Sequence, residues 1–87
     1  MSDNSWTLYI LQTKSGKLYT GITIDLSRRL KEHLFSKKGA KFFRIDKPKQ
    51  IIYTESLPNR SLAQKREAQI KKMSRAQKLN LIFLKKI

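Results

Sequence analysis

Cysteine is absent from this sequence, which removes disulfides and thiolate metal sites and fits a reducing compartment. Acid is nearly as scarce: 6 Asp and Glu stand against 20 Lys and Arg, a formal charge of +14. A polyanion is the partner that such an imbalance predicts. No apolar run approaches the roughly 20 residues that cross a bilayer. The start, Met1 to Ser5, is short and polar, without the apolar core of a secretory leader. A cytoplasmic location is therefore expected. No repeat, low-complexity tract or linker divides the chain, and 87 residues suffice for one hydrophobic core, so residues 1–87 are expected to form one domain with 1–5 as a disordered tail.

What is present is a compact mixture, 39% apolar and 30% charged, with aromatic residues in most parts of the chain. The positive charge is concentrated towards the second half: residues 37 to 50 carry six bases and one acid, and residues 60 to 87 carry nine and one. Bases are interleaved with apolar positions, which speaks for a nucleic-acid backbone over a membrane surface.

Trp6 to Leu11 and Lys17 to Ile24 are rich in aromatic and branched residues, and Gln12 to Gly16 between them reads as a turn, so a β-hairpin is predicted. Asp25 can cap a helix whose Leu26, Leu30 and Leu34 recur every fourth residue and which runs to about Phe35. Ser36 to Lys49 lacks periodicity and reads as a connection, and Ile51, Ile52 and Tyr53 predict a short third strand. Ser61 with Gln64, and Ser74 with Gln77, each have the spacing of a capping box and predict two further helices. Leu62, Ala63, Ile70 and Met73 would line the inner face of the first, and Ala76, Leu79, Ile82 and Phe83 that of the second. The expected fold is α/β of the α+β type: a small, mainly antiparallel three-stranded sheet flanked by three helices, in the order ββαβαα.

Glu67 is the only acid among the last 28 residues and borders the inner face of its helix. On position alone it reads as a rim residue paired with Arg66 or Lys71. Arg29 and His33 lie one helical turn apart beside the leucine seam, where a snorkelling Arg and a packed His are the ordinary readings. Tyr9 and Tyr19 read likewise as strand packing residues with a hydroxyl at the rim.

Taken together the pattern says more. Leu8-Tyr9-Ile10-Leu11 followed ten residues on by Tyr19-Thr20-Gly21-Ile22-Thr23 resembles the two-part signature of the GIY-YIG nuclease superfamily, especially its small one-domain URI branch. The likeness continues through Asp25-Leu26, Arg28-Arg29-Leu30, His33, Gly39-Ala40-Lys41, Pro48, Ser61-Leu62-Ala63, Glu67, Ile70-Lys71 and Arg75-Ala76-Gln77-Lys78, nearly the whole chain. Thr7 and Thr20 replace the Gly and Ile of the superfamily name. The resemblance implies a metal-dependent endonuclease, with Tyr9, Tyr19, Arg29, His33 and Glu67 at the superfamily's active-site positions.

Cutting a phosphodiester needs an activated water, neutralisation of the phosphate and stabilisation of the leaving alkoxide. In the resemblance Glu67 is the ligand of one Mg²⁺ or Mn²⁺, and no second acid nearby supports a two-metal site. Arg29 can brace the phosphate with its fork of donors. The proton acceptor is open between Tyr19 assisted by Tyr9, and His33. Asn80 is a possible accessory residue. Lys37, Lys38, Lys41, Lys71, Lys72, Arg75 and Lys78 would hold the backbone, with DNA favoured over RNA and a targeting protein as a possible further partner. The alternative is a basic nucleic-acid-binding module of the same fold without the chemistry. If the five polar positions form a site, Tyr9 and Tyr19 must share one face of the sheet, and the hairpin register decides that.

Overall fold

The computed structural model describes residues 5–35 and 46–86. Its elements are β1 (Trp6–Thr13), β2 (Leu18–Thr23), α1 (Leu26–Phe35), β3 (Pro48–Leu57), α2 (Arg60–Lys71) and α3 (Arg75–Lys86), the predicted order. The sheet runs β2-β1-β3 with both pairings antiparallel. β1 is central, and Leu8, Tyr9, Ile10 and Leu11 along it are almost wholly buried, because both faces of this strand are covered.

The alternation of β1 divides the interior in two. Leu8 and Ile10 point to one face, where they meet Tyr53 of β3, Ile70 of α2 and Ile82 of α3, with Leu18, Ile22, Met73 and Leu81 packed around them. Tyr9 and Leu11 point to the other, with Tyr19, Ile51 and the Leu26 and Leu30 seam of α1. The hairpin closes at Gly16, whose φ of +95° belongs to the left-handed region. Buried Thr13 holds the turn: its hydroxyl accepts from the Lys17 amide at 3.0 Å and donates to the Asp46 carboxylate at 2.7 Å.

Several expectations change. β3 has ten residues and begins at Pro48, longer than the apolar run at 51–53, because its pairing with β1 absorbs irregularities between Ile10 and Leu11 and between Gln12 and Thr13. α2 is capped not by Ser61 but by Asn59, whose Oδ1 accepts from the Leu62 amide at 2.9 Å. The box at Ser74 does form: the Gln77 amide donates to Ser74 Oγ at 3.1 Å and the Ser74 amide to Gln77 Oε1 at 2.9 Å.

The inner faces also differ. Ala63, Ile70 and Met73 of α2 point inward as expected, whereas Leu62 is exposed. In α3 only Ile82 of the expected seam is buried. Ala76, Leu79 and Phe83 are exposed, and Leu81 and Lys78 take the inward positions beside Ile82. Asn80 is accordingly exposed and not on the inner side of the helix. Of the expected 1–5 tail only Ser5 falls among the described residues.

Candidate active site

The register places Tyr9 opposite Gly21 and Tyr19 opposite Leu11. Because side chains alternate, Tyr9, Leu11, Tyr19 and Gly21 all lie on one face, and the two tyrosine rings sit diagonally, centroids 6.4 Å apart. Gly21 makes this possible. A Cβ there would stand 2.5 Å from the Tyr9 hydroxyl oxygen and 2.7 Å from its Cζ, so the tyrosine lies across the strand where a side chain would be.

α1 starts immediately after β2. The Arg28 amide donates to Asp25 Oδ1 at 3.0 Å, and Thr23 Oγ1 accepts from the Asp25 amide at 3.1 Å. With Leu26 and Leu30 packed on the tyrosine face, the helix lowers His33 onto both rings. The His33 centroid is 6.2 Å from that of Tyr9 and 5.5 Å from that of Tyr19, the latter edge to face. His33 Nε2 and the Tyr9 hydroxyl are hydrogen-bonded at 3.0 Å, and both residues are buried. Arg29, one turn earlier, reaches the same hydroxyl while its Nη1 donates to Glu32 at 3.0 Å.

This environment sets the protonation states. Burial, and then the neighbouring Tyr19, push the Tyr9 phenol up to about 12 against the opposing pull of Arg29. Burial and the Arg29 charge hold His33 down to about 4. At neutral pH the pair is therefore a neutral phenol on a neutral imidazole, beside a permanent cation. A neutral imidazole can accept from one neighbour and donate to another.

Glu67 reaches this cluster electrostatically from α2: its negative charge is among the influences that oppose ionisation of Tyr9. Its Oε2 accepts from Lys71 Nζ at 3.2 Å, the local pairing that position alone suggests. Arg66 turns away to Glu55, where its Nε donates at 2.9 Å. The Glu67–Lys71 pair is half open to solvent on the lysine side, and such pairs contribute about 0–1 kcal/mol, little hindrance to a divalent ion. Among the described residues no three His, Asp or Glu side chains gather to enclose a metal. One carboxylate beside phenol and guanidinium suits a hard ion whose other ligands are water and phosphate oxygens.

The structure thus brings Tyr9, Tyr19, Arg29 and His33 together with Glu67 within electrostatic reach. It leaves Asn80 exposed on α3. Lys37, Lys38 and Lys41 lie outside the described residues, Lys71 and Lys72 are exposed at the end of α2, and Arg75 and Lys78 line an open pocket together with Lys17 of the hairpin. Sequence reasoning quoted Gly21 within the signature but gave it no role of its own, and it did not single out Lys17. The signal for Gly21 was its place two residues after Tyr19, but its use depends on the register.

Comparison with known proteins gives the family and agrees with the fold. The sequence profile of the GIY-YIG catalytic domain matches residues 5–80, and the chain belongs to the GIY-YIG family. Within it the relatives are small proteins of the UPF0213 group. One from Photorhabdus laumondii is 43% identical over 83 residues, covering 95% of this chain and 79% of the relative. Another from Syntrophus aciditrophicus is 47% identical over 75 residues, covering 86% of each. The solution structure of the UPF0213 protein of Bacillus halodurans superposes with a TM-score of 0.61 at 40% identity, over 93% of this chain and 85% of that one.

Proposed function

We propose that this chain is an endonuclease that hydrolyses phosphodiester bonds of DNA with the help of one divalent cation. The observation that carries the reading is the convergence of Tyr9, Tyr19, Arg29 and His33 on one face, with the Glu67 charge felt at Tyr9. Family membership supports it, since a catalytic domain is what the profile describes.

In this reading Glu67 holds Mg²⁺ or Mn²⁺. The ion would supply neutralisation of the phosphate and, as a nearby positive charge, favour the anionic form of a phenol. Arg29, already beside Tyr9, presents guanidinium N–H groups to the phosphate oxygens. Tyr9 is buried and keeps its proton at neutral pH, so it orients its neighbours and does not act as the base. His33, hydrogen-bonded to Tyr9 and weakly basic, fixes that arrangement. Tyr19 is half-buried where Tyr9 is almost wholly buried, so in this reading its oxygen is the proton acceptor. Lys71, Lys72, Arg75 and Lys78 contact the backbone, which gives affinity without base selection. The protein acts in the cytoplasm.

The test is incubation of the purified protein and its Glu67→Ala variant with labelled single-stranded, duplex and branched DNA and with RNA, in Mg²⁺, Mn²⁺ or EDTA. Metal-dependent cleavage that disappears in the variant is expected. Binding with no cleavage under any condition would instead make the chain a binding module.

A further inference from the structure

Outside the tyrosine cluster, one feature of the described surface has the chemistry of a ligand site. An open pocket of about 270 Å³ is lined by Lys17, Leu18, Arg75 and Lys78. Among the described residues three of the four that line it are cations and none is a carboxylate. The ion pairs of the described residues use Arg29, Arg66 and Lys71, and none involves these three. Lys78 is half-buried, pulled inward beside Leu81 and Ile82. Lys17 and Arg75 are exposed, Lys17 with the Asp46 charge nearby, so Lys78 is the half-buried cation of the three, and a bound anion would offset its desolvation cost.

The backbone that carries these side chains is held before any ligand arrives. Lys17 is held on both backbone groups by Thr13: the Lys17 amide donates to Thr13 Oγ1 at 3.0 Å, and the Thr13 amide donates to the Lys17 carbonyl at 2.9 Å. Arg75 opens α3 immediately after the reciprocal Ser74–Gln77 cap, and the Lys78 amide donates to the Ser74 carbonyl at 3.0 Å. Leu18 forms the floor and packs on the Leu8 and Ile10 core. A backbone held in this way reduces the ordering entropy lost on binding.

Its position gives it meaning. Leu18 precedes Tyr19 on β2, so the pocket opens on the opposite face of the sheet from the tyrosines. β2 is an edge strand. A single ligand that engages both sites must cross that edge, passing from the tyrosine face to the α3 side. At 270 Å³ the pocket is below the usual range for drug-sized ligands, yet it holds several water volumes of about 30 Å³ each, room for one hydrated phosphate.

We propose that Lys17, Arg75 and Lys78 form a seat for one non-scissile backbone phosphate of the nucleic-acid substrate, on the far side of the β2 edge from the tyrosine cluster. This rests on the nuclease reading for the identity of the polyanion. The substrate must then extend beyond the cleaved bond on the side that crosses β2, and shortening it from that side weakens binding before it harms chemistry.

The test is a titration of ¹⁵N-labelled full-length protein with a DNA oligonucleotide in EDTA, compared with a neutral methylphosphonate oligonucleotide of the same sequence. Resonances of Lys17, Leu18, Arg75 and Lys78 shift with the charged DNA and stay in place with the neutral one. The Lys17→Gln/Lys78→Gln variant, with wild-type circular dichroism, loses about tenfold in affinity at 0.1 M salt, and its log K against log salt slope flattens by about one. Should the double variant fail to fold, Arg75→Gln alone serves the same comparison. DNA that shifts Tyr9, Arg29 and His33 while these four residues stay still, or a double variant of unchanged affinity and slope, overturns the seat. Cleavage with a silent pocket sinks the seat alone; pocket shifts with no cleavage under any metal keep the seat and sink the nuclease.

Discussion

Gly21 shows how one missing side chain creates the site. The Tyr9 ring occupies the space where a Cβ would stand, with three of its atoms within 3.1 Å of that point, and Tyr9 is itself nearly inaccessible. The ring has nowhere to withdraw, so Gly21→Ala breaks the Tyr9–His33 hydrogen bond. It costs about 1–3 kcal/mol as an overpacked core does, and abolishes cleavage. Urea unfolding reads the first effect and the nuclease assay the second. His33 supplies a pH signature. Its native value of about 4 lies below the ordinary 6.5, so below pH 6.5 the unfolded chain takes up a proton that the native state refuses. Stability therefore falls as pH drops from 6.5 to 4 and has no further His33 contribution below that, a loss of up to about 3 kcal/mol. Urea midpoints measured across this window should fall for the wild type and stay flatter for His33→Gln. Thr20 is a third case. Its hydroxyl is buried with no hydrogen-bond partner among the described residues, at the position where the family signature has isoleucine. Thr20→Val keeps the shape and removes the orphaned group, so the melting temperature should rise by the equivalent of about 1 kcal/mol.

At the scale of elements, local signals and packing divide the outcome. Strand and helix order, the Asp25 cap and the Ser74–Gln77 box were legible because each rests on spacing within a few residues. Ser61 failed for the same reason that Asn59 succeeded. The helix begins at Arg60, so its cap position falls on Asn59, extended at φ −157° and ψ 171°, and Ser61 already lies inside the first turn. Ser74→Ala and Asn59→Ala should each cost about 1 kcal/mol by thermal unfolding, whereas Ser61→Ala should stay within about 0.5 kcal/mol. The inner face of α3 could not be read. Leu79 and Phe83 make as good a stripe as Leu81 and Ile82, and packing on the sheet decides between them: Ile82 joins Tyr53 and Ile70 in the core, and Lys85 of the same helix sets its ammonium 4.8 Å from the Tyr53 ring centroid. The site was half legible in the same sense. Its residue types showed in the sequence, but their common face came only from the register, which joins Tyr9 to Gly21 across the turn.

At the scale of the molecule, charge is the property that organises function. Among the described residues the ion pairs use only Arg29, Arg66 and Lys71, so most of the positive field of the described bases is left to act on a partner. Within that field Glu67 is the only acid of residues 60–87, and its pairing with Lys71 sets a negative charge beside the bases that would hold the DNA backbone. Chemistry and affinity therefore oppose each other at this residue. In EDTA, Glu67→Gln frees Lys71 and removes a repulsion, so binding should tighten by a few fold at low salt and by less at higher salt, as the Debye length falls to about 10 Å at 0.1 M. Fluorescence anisotropy at several salt concentrations measures this. With Mg²⁺ present the same variant should not cleave. A variant that binds more tightly yet does not cut separates the carboxylate's catalytic part from any part in binding. A Glu67→Gln protein with weakened binding in EDTA would mean that Glu67 supports the interface itself, and its assignment to the metal would then be wrong.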